Sequence, residues 1–521
     1  MEKRVLLAVA LSGLVLVVWY AMFAPAPVSV PAAGERSVRT TRTAEGGGSG
    51  AGEGVEASTG EREERPPVEE TRAAVPEEAV LETDDFRVVV NGAGGVISSV
   101  VLKGYRDNEG NLLELVSGGG PRPLRMGTVG PWNDEGYVLS RENDTLTLRW
   151  SDGRGNWIEK RVGLGQGRFG LAVEVRGGGE AMRGGVVIGS TGAAAGRKGG
   201  YFERLSALVR VNGDMERLDA AKVKGGQRFG GLVEFAGVED QYFLKVLLPE
   251  AGLEDVAVVG EGGGATVVAR GAGGVVGGTL YAGPKVHDIL VGYGRGLDRT
   301  LSFGIFGVLS VAFLAALKWV YSWVGNWGVA IVVLTAALRV VLFPLTHKST
   351  VAMRRMQKVQ PKMRAIQERY KERAKKDPQA RARMNQEVMA LYKQEGVNPM
   401  GGCLPLLLQL PILWALYTLF AYAIELRQAP FALWITDLAQ KDPTYVLPVL
   451  MTASMFLQQK LAPQSGDPAQ RRLFLFMPLI FGFMFMSFPA GLVLYWLVNN
   501  VLTIGQQMLT ERLLREAPAK G

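Results

Sequence analysis

Few residues in this 521-residue chain are suited to covalent or metal chemistry. The two histidines, His287 and His347, lie far apart, which excludes motifs such as HExxH that need two on one helix face. The single cysteine, Cys403, cannot form an internal disulfide. Glycine-rich stretches are frequent, but none follows a strand and opens a helix as a nucleotide fold requires, so they read as turns. No nucleophile–base pair or metal cluster can be assembled, and no catalytic residue, metal or cofactor is expected. What remains is a charge inside an apolar run. Arg339 lies in TAALRVVLFPLTH, and an arginine near the centre of a membrane helix costs about 2.5–3.5 kcal/mol on insertion scales. The chemistry on offer is electrostatic.

Polar residues on other apolar runs supply candidate neighbours for that charge. Thr335 is one helical turn before Arg339 on the same face, and Gln409 lies inside another run. On the last run Trp496, Asn500, Thr503 and Gln507 fall within about 60° of one another, with Tyr495, Asn499 and Gln506 on an adjacent stripe. Together these suggest a hydrated groove closed to the outside. Two blander readings stand beside it. Six residues of helix rise about 9 Å, so the arginine can nearly snorkel to the interface. The stripes can also be ordinary interhelical hydrogen bonding, worth about 0.6 kcal/mol per bond. None of the five C-terminal runs carries an Asp or Glu, so a deep arginine needs water or polar neighbours.

The elements that must hold these residues are membrane spans of roughly 20 residues. Candidates are Val5–Phe23, Trp327–Leu345, Leu404–Ile424, Tyr445–Leu461, Phe474–Phe488 and Gly491–Leu509, the last two joined at Pro489-Ala490. From Lys348 to Glu395 there are 14 Lys/Arg against 5 Asp/Glu, a net of +9, so the rest of a +8 chain sums to −1. By the positive-inside rule, this segment and both termini are cytoplasmic and the region before Trp327 is outside. The first span has a rival reading as a cleaved signal peptide. Its length, its Trp19 and Tyr20, and the nearby prolines favour an uncleaved anchor.

Residues 1–24 are thus expected to be an N-terminal transmembrane anchor and 25–80 a disordered tether of Pro, Gly, Ala, Glu, Arg, Ser and Thr. Residues 81–300 show short alternating runs (FRVVV at 86–90, VISSVVL at 96–102, TLTLRW at 145–150, FGLAVEV at 169–175, VAVVG at 256–260), which predict an antiparallel β-sandwich. Residues 301–326 are apolar enough to span, but a span there reverses the charge pattern, so an interfacial amphipathic helix is expected. Residues 327–512 form the helical core with five spans. Within it, 348–395 reads as a basic αα-hairpin broken at Asp377-Pro378, carrying Arg354, Arg355, Lys358, Lys362 and Arg364. Its charge suits anionic lipid, ribosomal RNA or an acidic nascent chain, or it merely sets topology. Residues 513–521 are a short tail.

Five segments in order carry a specific resemblance: VGNWGVAIVVLTAALRVVLFPLT (324–346), QPKMRAIQERY (360–370), MALYKQEGVNPMGGCLPLLLQLPI (389–412), ELRQAPFALWITDL (425–438) and FPAGLVLYWLVNNVLTIGQQ (488–507). The C-terminal part resembles the YidC/Oxa/Alb family of membrane protein insertases, and the whole chain its Gram-negative form. GVEDQYF (237–243) and LYAGPK (280–285) match more weakly. The resemblance implies a periplasmic β-supersandwich, a five-helix core and a groove open to cytoplasm and lipid. It maps the family's groove arginine onto Arg339, and groove positions onto Thr335, Leu410, Pro411 and Trp496. Some relatives carry tyrosine at that last position. It implies nascent membrane proteins, ribosomes, the Sec translocon and membrane lipids as partners, in the bacterial inner membrane. Oligomeric state stays open, a monomer being sufficient. Cys403 fits a packing role in the GGC-Pro motif. The tail after Leu509 carries three basic and two acidic residues, so ribosome docking is expected at the hairpin. The expected activity is insertion and folding of membrane proteins without enzymatic chemistry. The alternative, a small-molecule transporter, lacks the inverted repeats such folds carry.

Overall fold

A computed structural model of the chain describes residues 77–116, 120–192, 205–250, 252–373, 377–397, 404–461 and 468–516. The expected first span, nearly all of the tether and the GGC-Pro motif with Cys403 lie outside the described residues.

The five alternating runs form strands Phe86–Asn91, Val96–Arg106, Thr145–Ser151, Gly170–Gly178 and Leu253–Glu261. The domain begins earlier than expected. Strand Glu78–Glu82 pairs with Phe86–Asn91 (Glu78 opposite Asn91), so the 25–80 boundary is corrected to end before Glu78. The glutamates of EAVLE resemble tether composition, while its alternation buries Leu81.

A four-stranded meander ends in Val96–Arg106 and Leu112–Glu114. A nine-stranded antiparallel sheet runs in the order Asp214–Asp219, Ser206–Val211, Val233–Glu239, Phe243–Pro249, Val275–Pro284, Gly170–Gly178, Trp157–Leu164, Thr145–Ser151, Val138–Glu142. A third sheet orders Gly225–Gly230, Leu253–Glu261, Gly264–Gly271 and Val186–Ser190. It packs its valines Val187, Val258 and Val267 in the core that also buries Leu208, Phe235 and Val238 of the large sheet. This is a sandwich with one extended layer.

One buried cation ties the meander to the large sheet. Lys160 is wholly enclosed, and its Nζ donates to the carbonyls of Gly94 (2.7 Å), Gly95 (3.0 Å) and Leu124 (2.8 Å). The Tyr137 ring lies 4.7 Å from the ammonium. Burial pushes the Lys160 amine down to about 7, with the Arg125 charge adding to the effect.

The helices follow: α1 (His287–Tyr293), α2 (Gly307–Val324), α3 (Trp327–Tyr370), α4 (Pro378–Gln394), α5 (Leu404–Tyr422), α6 (Val446–Leu461), α7 (Pro468–Phe485) and α8 (Ala490–Glu516). Two expectations are corrected. The first arm of the 348–395 hairpin is no separate helix: α3 runs 44 residues from the span into the hairpin through Pro344 and Pro361. α8 continues past the 512 boundary to Glu516. The break at Asp377-Pro378 is where it was expected. Asp377 caps α4 by accepting from the Gln379 N–H (2.8 Å), with Pro378 in the first turn.

By length and apolarity α2 and α3 each suffice to cross a membrane. α2 leaves a stripe of Val308, Trp319 and Trp323 exposed while burying Phe313, Leu314 and Leu317. The buried side packs on α5, where the Ser310 hydroxyl donates to the Ala415 carbonyl (3.0 Å).

Candidate functional site

The loop between α5 and α6 sets where α3 and α8 begin. Asn326 caps α3 by accepting from the Val329 N–H (3.0 Å), and its Nδ2 donates to the Phe431 carbonyl (2.9 Å). Gly328 sits so close to the Phe431 ring that a Cβ there would meet it at 2.0 Å, so only glycine fits. The other side of the same loop receives α8: Ala490 N–H donates to Gln440 (2.7 Å) and Gly491 N–H to Leu438 (2.8 Å). Two helices held at one end by one loop run side by side in the same direction.

Their shared seam is polar. Arg339 Nε donates to Asn499 Oδ1 at 2.8 Å. Seven residues further along both helices, Gln506 Nε2 donates to the Thr346 hydroxyl. The His347 ring lies 3.3 Å from the Thr510 hydroxyl and stacks on Phe343. A seven-residue spacing on both partners is the register of parallel helices wound together, and polar rungs at such positions select register. From α5, Gln409 Nε2 donates to the Tyr495 hydroxyl (2.5 Å), one turn before Asn499.

Arg339 is half-buried. Among the described residues its Nη nitrogens make no hydrogen bond or ion pair; the Nε bond to Asn499 is the one contact of that kind. Four N–H donors are left for something else.

The other candidates are placed as follows. Thr335 is buried and its hydroxyl donates to the Ile331 carbonyl of its own helix (2.6 Å). Thr503 does the same to Asn499 (2.6 Å). Asn500 is buried and turned to α6, donating to the Ser454 hydroxyl (3.0 Å). The residues brought to α3 and α5 are therefore those of the adjacent stripe, Tyr495, Asn499 and Gln506. A step of 100° separates neighbouring residues, and a wheel fixes the two stripes relative to each other but not the rotation of the helix. Trp496 packs its ring on Phe485 (5.1 Å) and Phe481 (6.4 Å) of α7. Leu410 is 38% exposed on α5, and Pro411 sits half-buried inside that helix.

The hairpin closes on an apolar line of Val359, Ile366, Ala380 and Val397, flanked by Tyr370 donating to Glu387 (2.5 Å). Arg355, Lys358, Lys362 and Arg364 are exposed, Lys362 pairing with Glu395 (2.5 Å), while Arg354 is half-buried.

Of the two weakly matching β segments, one meets a helix and the other pairs with the first. In GVEDQYF, Gln241 Nε2 donates to the Ala421 carbonyl at the end of α5 (2.5 Å). Glu239 binds Lys285 of LYAGPK (2.8 Å) and Arg217, which also donates to Ser302 Oγ (2.7 Å). Burial opposes ionisation of Glu239, but Lys285 and Arg217 outweigh it and hold the carboxyl below its usual range. Lys318 of α2 joins Asp288 (2.9 Å) to Glu425 (3.0 Å), and Arg427 donates to the Arg106 carbonyl (2.8 Å). Sequence reasoning singled out none of these contacts; the order of GVEDQYF and LYAGPK was their only signal.

Comparison with known proteins agrees with this division. Residues 319–517 match the family described as 60Kd inner membrane protein, and residues 78–316 match the YidC periplasmic domain. The class is thus a bacterial inner-membrane protein with a periplasmic β domain. The membrane protein insertase YidC of Geobacter metallireducens is 34% identical, with all of each chain covered. That of Syntrophus aciditrophicus is 43% identical over 56% of this chain and 55% of its own. This chain belongs to the YidC family of membrane protein insertases. Among solved structures, an active YidC insertase with its first transmembrane domain resolved is similar at 18% identity, covering 84% of this chain and 93% of its own, with a TM-score of 0.37. YidC from Thermotoga maritima is similar at 13% identity, covering 82% and 98%, with a TM-score of 0.30. The relatives named by sequence, both insertases, lend nothing to small-molecule transport.

Proposed function

We propose that this chain inserts nascent membrane proteins by shortening the apolar barrier around Arg339 and attracting acidic groups to it, with no covalent step. A hydrophilic segment crossing a low-dielectric slab loses several kcal/mol per unpaired polar group. A wet groove between α3, α5 and α8 reduces the thickness to be crossed. Arg339 then draws carboxylates of the translocated segment, and the apolar faces of α5 and α7 pass its hydrophobic helix to lipid. Release follows from the preference of that helix for lipid.

The observation that carries this reading is the half-buried Arg339 guanidinium, engaged at Nε by a neutral amide and, among the described residues, with no hydrogen bond or ion pair at its Nη donors. The termini lie on the cytoplasmic side, with five spans after the β domain and α2 at the outer interface. The exposed basic face of the hairpin meets the ribosome or anionic lipid, and the Sec translocon is a partner for larger substrates.

The test is Arg339→Ala in proteoliposomes, using substrates whose translocated segments differ only in carrying Asp/Glu or Asn/Gln. Insertion of the acidic substrate should fall about tenfold, the scale of one charge-assisted hydrogen bond, with the neutral one spared. Equal loss on both would sink the electrostatic role.

A further inference from the structure

We infer that Asn499 is a positioning residue for Arg339: by occupying Nε it presents the Nη1–Nη2 edge of the guanidinium to a carboxylate of the incoming segment. This rests on the reading of Arg339 above and deepens it by naming the edge that binds and the group it takes.

A guanidinium offers a carboxylate two bidentate faces, one formed by Nε with an Nη and one by the two Nη atoms. Asn499 Oδ1, at 2.8 Å, closes the first. The second remains, and among the described residues no hydrogen bond or ion pair fills it. Asn499 suits the task because its amide oxygen accepts a bond without cancelling the charge; a carboxylate there would pair with Arg339 and remove the attraction. The placement is not accidental to one rotamer. The Gln506–Thr346 rung lies seven residues along both helices and fixes their register, and the α5–α6 loop holds both helices at their starts. The next residue, Asn500, is committed to Ser454 on α6, which fixes the rotation of α8 and leaves Asn499 facing α3.

The experiment uses the full chain in proteoliposomes and the paired acidic and neutral substrates. Asn499→Asp should lower acidic-substrate insertion about tenfold, as Arg339→Ala does, while sparing the neutral one. Asn499→Ala, which frees Nε, should cost about threefold on the acidic substrate only. In an Arg339→Ala background, Asn499→Ala should add nothing, since a residue acting through another gives no further loss once that other is gone. If Arg339→Ala shifts the acidic-to-neutral ratio and neither Asn499 variant does, the positioning role is overturned and the reading of Arg339 survives. The same holds if the Asn499→Ala loss persists without Arg339. If Arg339→Ala costs both substrates equally, both fall together.

Discussion

Lys160 in the β domain and Arg339 in the helical region are both cations withdrawn from solvent with no carboxylate beside them among the described residues. In its ammonium form Lys160 gives all three of its N–H donors to backbone carbonyls of two other segments and rests against Tyr137. Arg339 gives one of five to Asn499. The first is saturated, and its work is to hold Gly94, Gly95 and Leu124 together. The second is held in place but left largely unspent, which wastes stability unless something else arrives. The two differ more in how many donors are satisfied than in the sign of their charge, and on the reading proposed above the unsatisfied donors of Arg339 are the ones a substrate meets.

That contrast can be broken most sharply at Lys160. Lys160→Met leaves three buried carbonyls without donors at about 1–3 kcal/mol each, so the β domain of the full chain should melt at a markedly lower temperature. An unchanged melting curve would erase the distinction. Arg339→Ala should do the reverse. It should cost about tenfold in acidic-substrate insertion yet leave the melting temperature unchanged or raised, because a costly charge is removed.

The pH dependence sharpens the comparison further. Lys160 has a folded value of about 7, well below the ordinary lysine value of 10.5. Between those values the unfolded chain binds a proton that the folded one does not, so stability rises with pH across that window. Melting of the β domain from pH 7.5 to 9.5 measures this, and a flat profile would show that the carbonyl cage keeps the ammonium. The smallest effect belongs to the exposed hairpin pair Lys362–Glu395, with side chains 63% and 33% exposed. Lys362→Ala should shift stability by less than about 1 kcal/mol, read as hairpin proteolysis.

Much of this architecture was legible from pattern alone. Alternation marked the strands, and Asp377-Pro378 marked the hairpin break because a cap and a proline act locally. Arg339 stood out because charge in an apolar run is costly. Its partner did not, because two polar stripes one residue apart on α8 are equally good on a wheel. Only packing against α6, where Asn500 meets Ser454, decides between them. Lys160 was invisible for a related reason. A lysine in WIEKRVGL reads as the outward half of an alternating strand, and its burial depends on carbonyls 36 to 66 residues away. The continuity of α3 was not legible because apolarity delimits the span at Leu345 and charge delimits the hairpin from Lys348, and neither signal reports whether the backbone between them stays helical.

That continuity gives α3 a mechanical character. Forty-four residues of helix measure about 66 Å, and some 40 Å separate Arg339 from Ile366 in the hairpin. Tilted as a rigid rod, the helix would pivot at the Asn326–Phe431 clamp. A partner that tilts the hairpin by about 5° shifts its far end by roughly 3.5 Å relative to Arg339. Pro344 and Pro361, each without a ladder N–H, are the points between the charge and the hairpin where the helix bends most easily.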